Sequence, residues 1–107
     1  MNRLAPHFTP HTVRVAVFRA GGGLGGGYTA ARDVASFVTD ETQTIVGIDG
    51  KDTVSSANVS TNFDELAPLG SRVTLWPGTD IERTSTVVKI TRFQHPTLPW
   101  SQTLWLK

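Results

Sequence analysis

The sequence predicts an all-β fold, a small single-domain β-barrel or sandwich of about six strands with long loops. Three observations carry this. Short runs alternate apolar and polar residues with the period of two that turns one strand face toward a core. Turn chemistry separates those runs, notably Asp49-Gly50 and Pro77-Gly78. No stretch sustains the period of a long helix. A chain of 107 residues supports one modest core and not two.

Residues 1–11 contain Pro6 and Pro10, show little apolar periodicity and read as an extended arm; residues 12–107 read as the barrel domain. TVRVAVFR (12–19) is a strand with Val13, Val15 and Val17 on one face and Arg14, Ala16 and Phe18 on the other. A glycine-rich stretch follows: Gly21, Gly22, Gly23, Gly25, Gly26 and Gly27. Residues 30–41 are ambiguous. Ala31, Val34, Phe37 and Val38 have helical spacing, whereas Val34, Ser36 and Val38 alternate. A strand over 34–39 is favoured, because the glycine run then closes a hairpin.

Residues 42–53 carry turn residues and an exposed-looking Ile45-Val46-Gly47-Ile48, and read as a loop with weak secondary structure. TVSSANVST (53–61) is strand-like. Asn62 to Leu66 suggests one helical turn capped by Asn62 and Glu65, stopped by Pro68. Strands are expected at 71–76, 83–93 and 101–107. The second centres on Val87, Val88 and Ile90, and the last sets Leu104 and Leu106 against Trp105.

Composition narrows the function. The chain has no cysteine, so disulfides, zinc–thiolate sites and thiol nucleophiles are excluded. A net charge of +1 without like-charge runs lacks the bulk footprint of a nucleic-acid binder. The N-terminal residues lack the apolar core of a signal peptide, and no apolar run approaches a membrane span; a soluble protein is expected.

The glycine stretch matches a dinucleotide fingerprint at Gly21, Gly23 and Gly26. That fingerprint works where the loop opens a helix whose amides face a pyrophosphate. Here β-like residues follow, the loop has no lysine, and six glycines match almost any spacing. It reads as a flexible hairpin tip, since glycine frees φ. His7 and His11 are separated by a helix-breaking Pro10, and His95 has no partner at fixed spacing. Asp49 and Asp52 flank a glycine turn without the acidic positions of a calcium loop. Asp40-Glu41 and Asp64-Glu65 are adjacent pairs, which on strands face opposite sides. No catalytic, cofactor or metal site is expected. Trp76, Trp100 and Trp105 suit either the core or a subunit interface. Arg72, Arg83, Lys89 and Arg92 face either solvent or a partner.

The second half, LGSRVTLWPGTDIERTSTVVKITRFQHP from Leu69 to Pro96, follows DVASFVTDETQTIVGIDGKDTVSSANVST from Asp33 to Thr61. Together these resemble the head-to-tail stopper, or head-closure, proteins of tailed phages. The similarity is greatest to those of long non-contractile-tailed phages of actinobacteria, and spans residues 12–107. The resemblance implies a small β-barrel subunit in a ring in the virion neck, assembled in the host cytoplasm. The ring would lie between the portal with its head–tail adaptor and the tail terminator or tail tube. It would retain packaged double-stranded DNA without sequence specificity and offer the tail a docking surface. The loop that closes the channel in this family corresponds here to about Glu41 to Thr53.

The residues of that segment suit the role. Copies of Ile45, Val46 and Ile48 can cluster on a ring axis, with Gly47 and Gly50 as pivots. Asp49, Lys51 and Asp52 nearly balance in charge, so DNA would pass without sticking. The glycine run departs from the family, whose first hairpin loop is more mixed and polar. Phe8, Trp76, Trp100 and Trp105 are the expected interface residues, and the arm and last strand suit subunit or adaptor contacts. The alternatives are a tail terminator or other tail-completion ring protein, and a small barrel that grips nucleic acid with Trp76, Arg72 and Arg92.

Overall fold

The computed structural model describes residues 8–19, 27–94, 96–97 and 99–107. Its strands are β1 (His11–Ala16), β2 (Phe18–Arg19), β3 (Gly27–Tyr28), β4 (Arg32–Thr39), β5 (Gln43–Val46), β6 (Asp52–Ser55), β7 (Ala57–Asn62), β8 (Arg72–Leu75), β9 (Arg83–Phe93) and β10 (Ser101–Leu106). Six of them close an antiparallel barrel in the order β1-β4-β7-β10-β9-β8. The other four form two ribbons, β2-β3 and β5-β6. The all-β expectation holds, as a closed barrel.

The alternation legible in the sequence fills the barrel. Val13, Val15 and Val17 face inward, joined by Val34 and Val38 from β4, Ala57 and Val59 from β7, Val73 and Leu75 from β8, and Leu104 and Leu106 from β10. β4 settles the ambiguity of residues 30–41. Val34, Ser36 and Val38 are buried, and Phe37 points outward. Thirteen buried apolar residues form one cluster, with Trp76 and Ile90 packed against it. Burial of such side chains contributes about 1.5–3 kcal/mol each, the term that opposes the entropy of ordering the chain.

The structure redraws several boundaries. The run 12–19 is not one strand. Val17 donates its N–H to Thr29 Oγ1 at 3.0 Å and accepts from Thr29 N at 3.0 Å. Beyond it, β2 leaves β4 and pairs with β3. The strand-like run 53–61 breaks at Ser56, whose N–H turns to Leu106 O. β9 carries one extra residue, Val88, because Val87 faces Leu106 and Lys89 faces Trp105. Such a bulge sharpens the bend that lets one long strand pair with β8 and then β10. The helical turn expected at Asn62 is a plain turn, with Glu65 N donating to Asn62 O at 3.2 Å. β7 runs through Asn62, so that residue is strand and not cap. Ala67 then buries itself in the core behind the turn.

Candidate functional site

The segment read as a weakly structured loop is a β-hairpin. β5 and β6 pair in register at Gln43↔Ser55, Thr44↔Val54, Ile45↔Thr53 and Val46↔Asp52. The tip is closed by Gly47 N to Lys51 O at 2.8 Å and Gly50 N to Gly47 O at 3.0 Å. Asp49 Oδ1 accepts from Lys51 N at 3.0 Å, an Asx turn inside the tip. Gly50 sits at φ 80°, where glycine is strongly preferred. Gly47 is crowded instead: a Cβ there would stand 3.0 Å from Thr53 Oγ1 and 3.1 Å from Asp49 Oδ1, so those side chains would have to shift.

Pleating divides the expected gate residues. Val46, Val54 and Ile48 are 52%, 59% and 74% exposed. Ile45 alternates to the opposite face and is half-buried, so it does not join them. The apolar surface of the hairpin is therefore Val46, Ile48 and Val54, and sequence reasoning missed Val54. Its signal was the cross-strand partner Thr44, visible only once the register is known.

The hairpin is anchored at both legs. Asp40 lies before β5 and Ser56 after β6. Arg83, the first residue of β9, donates through Nη2 to Asp40 Oδ1, through Nη1 to Ser56 Oγ at 3.1 Å and through Nη2 to Ser56 O at 3.4 Å. Trp76 donates Nε1–H to the other Asp40 oxygen at 3.0 Å. That bond, and then the Arg83 hydrogen bond and charge, hold the Asp40 carboxyl below its ordinary range against the opposing cost of desolvation. The end of β10 grips the second leg. Ser55 Oγ donates to Leu106 O at 2.9 Å, and Ser56 Oγ to Lys107 O at 2.7 Å.

Trp76 itself is at φ 52°, a left-handed conformation costly for a bulky residue, of order 1–3 kcal/mol. It is held there from three sides. Its carbonyl accepts from Thr79 N at 3.2 Å and Thr79 Oγ1 at 2.7 Å, across the Pro77-Gly78 turn. Its indole reaches Asp40, and its ring meets the edge of His11 at a centroid distance of 5.1 Å. His11 also lies 5.5 Å from Phe37, and its Nδ1 accepts the Val38 N–H at 3.0 Å.

The remaining expected site residues are dispersed. Trp100 packs edge-on against Phe63 at the end of the barrel where β10 begins. Trp105 lies on the outer wall opposite Lys89, its Nε1–H donated to Thr91 Oγ1 at 3.2 Å. Trp76, Trp100 and Trp105 are all half-buried, so they belong neither to the sealed core nor to one shared patch. Phe8 is exposed three residues before β1. Arg72, Arg83, Lys89 and Arg92 do not make one basic stripe. Arg83 is the anchor, Arg72 stacks on Tyr28 with its guanidinium carbon 4.0 Å from the ring centroid, and Lys89 and Arg92 register with Trp105 and Gln102. Gly27 pairs with Arg19 in the β2-β3 ribbon. Gly21, Gly22, Gly23, Gly25 and Gly26 lie outside the described residues, as do His7 and His95. Among the described residues, no three metal-ligating side chains converge.

Beside the hairpin tip runs an open, mostly apolar groove of about 430 Å³, lined by Gly47, Ile48, Asp49, Thr53, Leu69, Val87 and Val88. The tip thus leans toward the bulged part of β9 without sealing against it. Comparison of the chain with models of known protein families, with curated proteins and with solved structures finds no match.

Proposed function

We propose that this chain is a structural ring subunit of a phage neck, a stopper that closes the DNA channel after packaging and presents a docking surface to the tail. The observation that carries the reading is the β5-β6 hairpin. It puts three aliphatic side chains, Val46, Ile48 and Val54, into solvent on a ribbon anchored to a closed barrel at both legs. Exposed aliphatic groups on a projecting ribbon are costly for an isolated subunit and useful where copies converge. In a ring, the hairpins meet on the axis and bury one another, and the nearly balanced Asp49, Lys51 and Asp52 leave little electrostatic hold on DNA. The reading also draws on the resemblance of residues 12–107 to head-closure proteins.

The tail-terminator alternative called for a long helix at 30–41. β4 occupies that stretch instead, which favours the stopper. The nucleic-acid-binding alternative called for aromatic and basic side chains interleaved on one face, whereas Trp76, Arg72 and Arg92 occupy separate places. Native mass spectrometry of the purified chain with a portal and adaptor tests the proposal. Ring-sized or adaptor-bound species are expected. A permanent monomer that binds oligonucleotide at physiological salt would refute it.

A further inference from the structure

We infer that His11 is a pH-sensitive latch for the β5-β6 hairpin: with Nδ1 unprotonated it supports Asp40 in the hairpin anchor, and protonation of the ring withdraws that support. The latch belongs to the barrel and its hairpin, and stands whether or not the chain builds a ring.

It begins where a strand runs out. The β1-β4 ladder ends at His11↔Ser36. The residue before, Pro10, has no N–H with which to extend it. β4 continues to Thr39, so its backbone still needs partners beyond Ser36. The His11 side chain supplies one, because Nδ1 accepts the Val38 N–H at 3.0 Å. A ring nitrogen that accepts carries no proton, so the ring hydrogen is on Nε2. The imidazolium has two donors and no acceptor. A proton added at Nδ1 therefore removes the bond and also sets one N–H against another.

Two supports of Asp40 pass through this ring. Val38 lies two residues before Asp40, so the bond at Nδ1 fixes the piece of chain that carries the carboxylate. The ring also packs on Trp76 at a centroid distance of 5.1 Å, and the Trp76 indole donates to Asp40 Oδ2 at 3.0 Å. Trp76 at φ 52° keeps its strained backbone only while its contacts hold it there. Loss of the His11 contact favours withdrawal of the indole from Asp40. Asp40 in turn pairs with Arg83, which grips Ser56 on the other leg of the hairpin.

No carboxylate on the surrounding elements pairs with the ring to offset the lost bond. Asp40, after β4, pairs with Arg83 at the start of β9. On β1 and β4, Arg14 pairs with Asp33, and Arg32 with Glu65. In the turn after β8, Glu82 accepts from Gly78 N. Glu41 and Asp80 are exposed and form no ion pair among the described residues.

Histidine changes charge between about pH 5 and 8, above the range in which ordinary carboxylates titrate. NMR of the full-length chain across that window tests the latch. A long-range proton–nitrogen spectrum at about pH 8 should show Nδ1 of His11 unprotonated. From that pH to the acid end of the window, amide protection at Val38, corrected for the intrinsic pH dependence of exchange, should fall about tenfold, the effect of one lost hydrogen bond. Protection across the β5-β6 pairs should fall with it. His11→Asn offers an amide oxygen close to the place of Nδ1 that takes up no proton, and should abolish the pH dependence. A chain carrying both His7→Gln and His95→Gln should keep it. A protonated Nδ1 at the alkaline end overturns the inference from the wild-type chain alone, however the variants fold. A Val38 response without a hairpin response overturns it too, as does a pH dependence that survives His11→Asn.

Discussion

The Arg83 guanidinium pairs with the Asp40 carboxylate across 43 positions of sequence, and through the same head group holds Ser56. One side chain on the barrel wall therefore fastens both legs of the hairpin that carries the exposed Val46, Ile48 and Val54. The projecting ribbon is aimed by the barrel and not by its own two strands, which in isolation would be marginal.

Arg83→Met should loosen the hairpin more than the barrel. The group is partly exposed, so the ion pair itself contributes little, and the loss comes mainly from the bonds to Ser56 and Asp40, together about 1–2 kcal/mol. Amide exchange at residues 43–55 should quicken about 5–30-fold, with smaller changes in β7 and β10. Equal acceleration throughout would mean that Arg83 supports the barrel as a whole.

Acid should weaken the same anchor. The folded-state value of Asp40 is depressed, first by the Trp76 N–H and then by Arg83. Its stabilisation is complete above the unfolded carboxylate value, about pH 4, and is lost as pH falls through the depressed value. Wild type should therefore exceed Asp40→Asn in urea midpoint at pH 6, and the gap should narrow below about pH 4. A gap that stays constant to pH 2.5 would contradict the assignment.

Inside the barrel, Gln102 is buried. Its Nε2 donates to Glu65 O, and its Oε1 has no partner among the described residues. Gln102→Leu removes one hydrogen bond together with one unsatisfied buried acceptor, so the net change should stay within about 1 kcal/mol. Leu104→Ala, two residues on and equally enclosed, should cost about 2–5 kcal/mol. Chemical denaturation of both variants checks the contrast.

At the hairpin tip, Gly50→Ala places a Cβ in a left-handed backbone at φ 80° and should destabilise the tip by about 1 kcal/mol. Ile48→Asp, on a side chain that is largely exposed, should change the melting temperature of the subunit little while impairing channel closure. A large loss of subunit stability from Ile48→Asp would mean that the tip is packed and not presented.

Much of this fold was legible in period-two patterning. Val13, Val15 and Val17 face the core, as do Val34 and Val38, because alternation alone fixes which side is apolar. What escaped were features set by tertiary pairing. Thr29 takes the Val17 amide and ends β1, yet nothing near Val17 marks a break. The segment 43–55 lacks a clear strand pattern because its inner face, Gln43, Ile45, Thr53 and Ser55, is apolar only at Ile45, and only the Val46↔Asp52 register reveals a hairpin. The anchor joins Asp40, Ser56, Trp76 and Arg83 from four separate stretches, which no spacing rule links. Gln102 shares the inward parity of Leu104 and Leu106, and its polarity hid it.

In the proposed function, the β5-β6 hairpin closes a DNA channel. Deleting Gly47 to Asp52 and measuring DNA retained in filled heads tests it most directly. The shortened chain should still fold and assemble while DNA escapes from the heads. Stable retention of DNA behind a ring built from the deleted chain would contradict it.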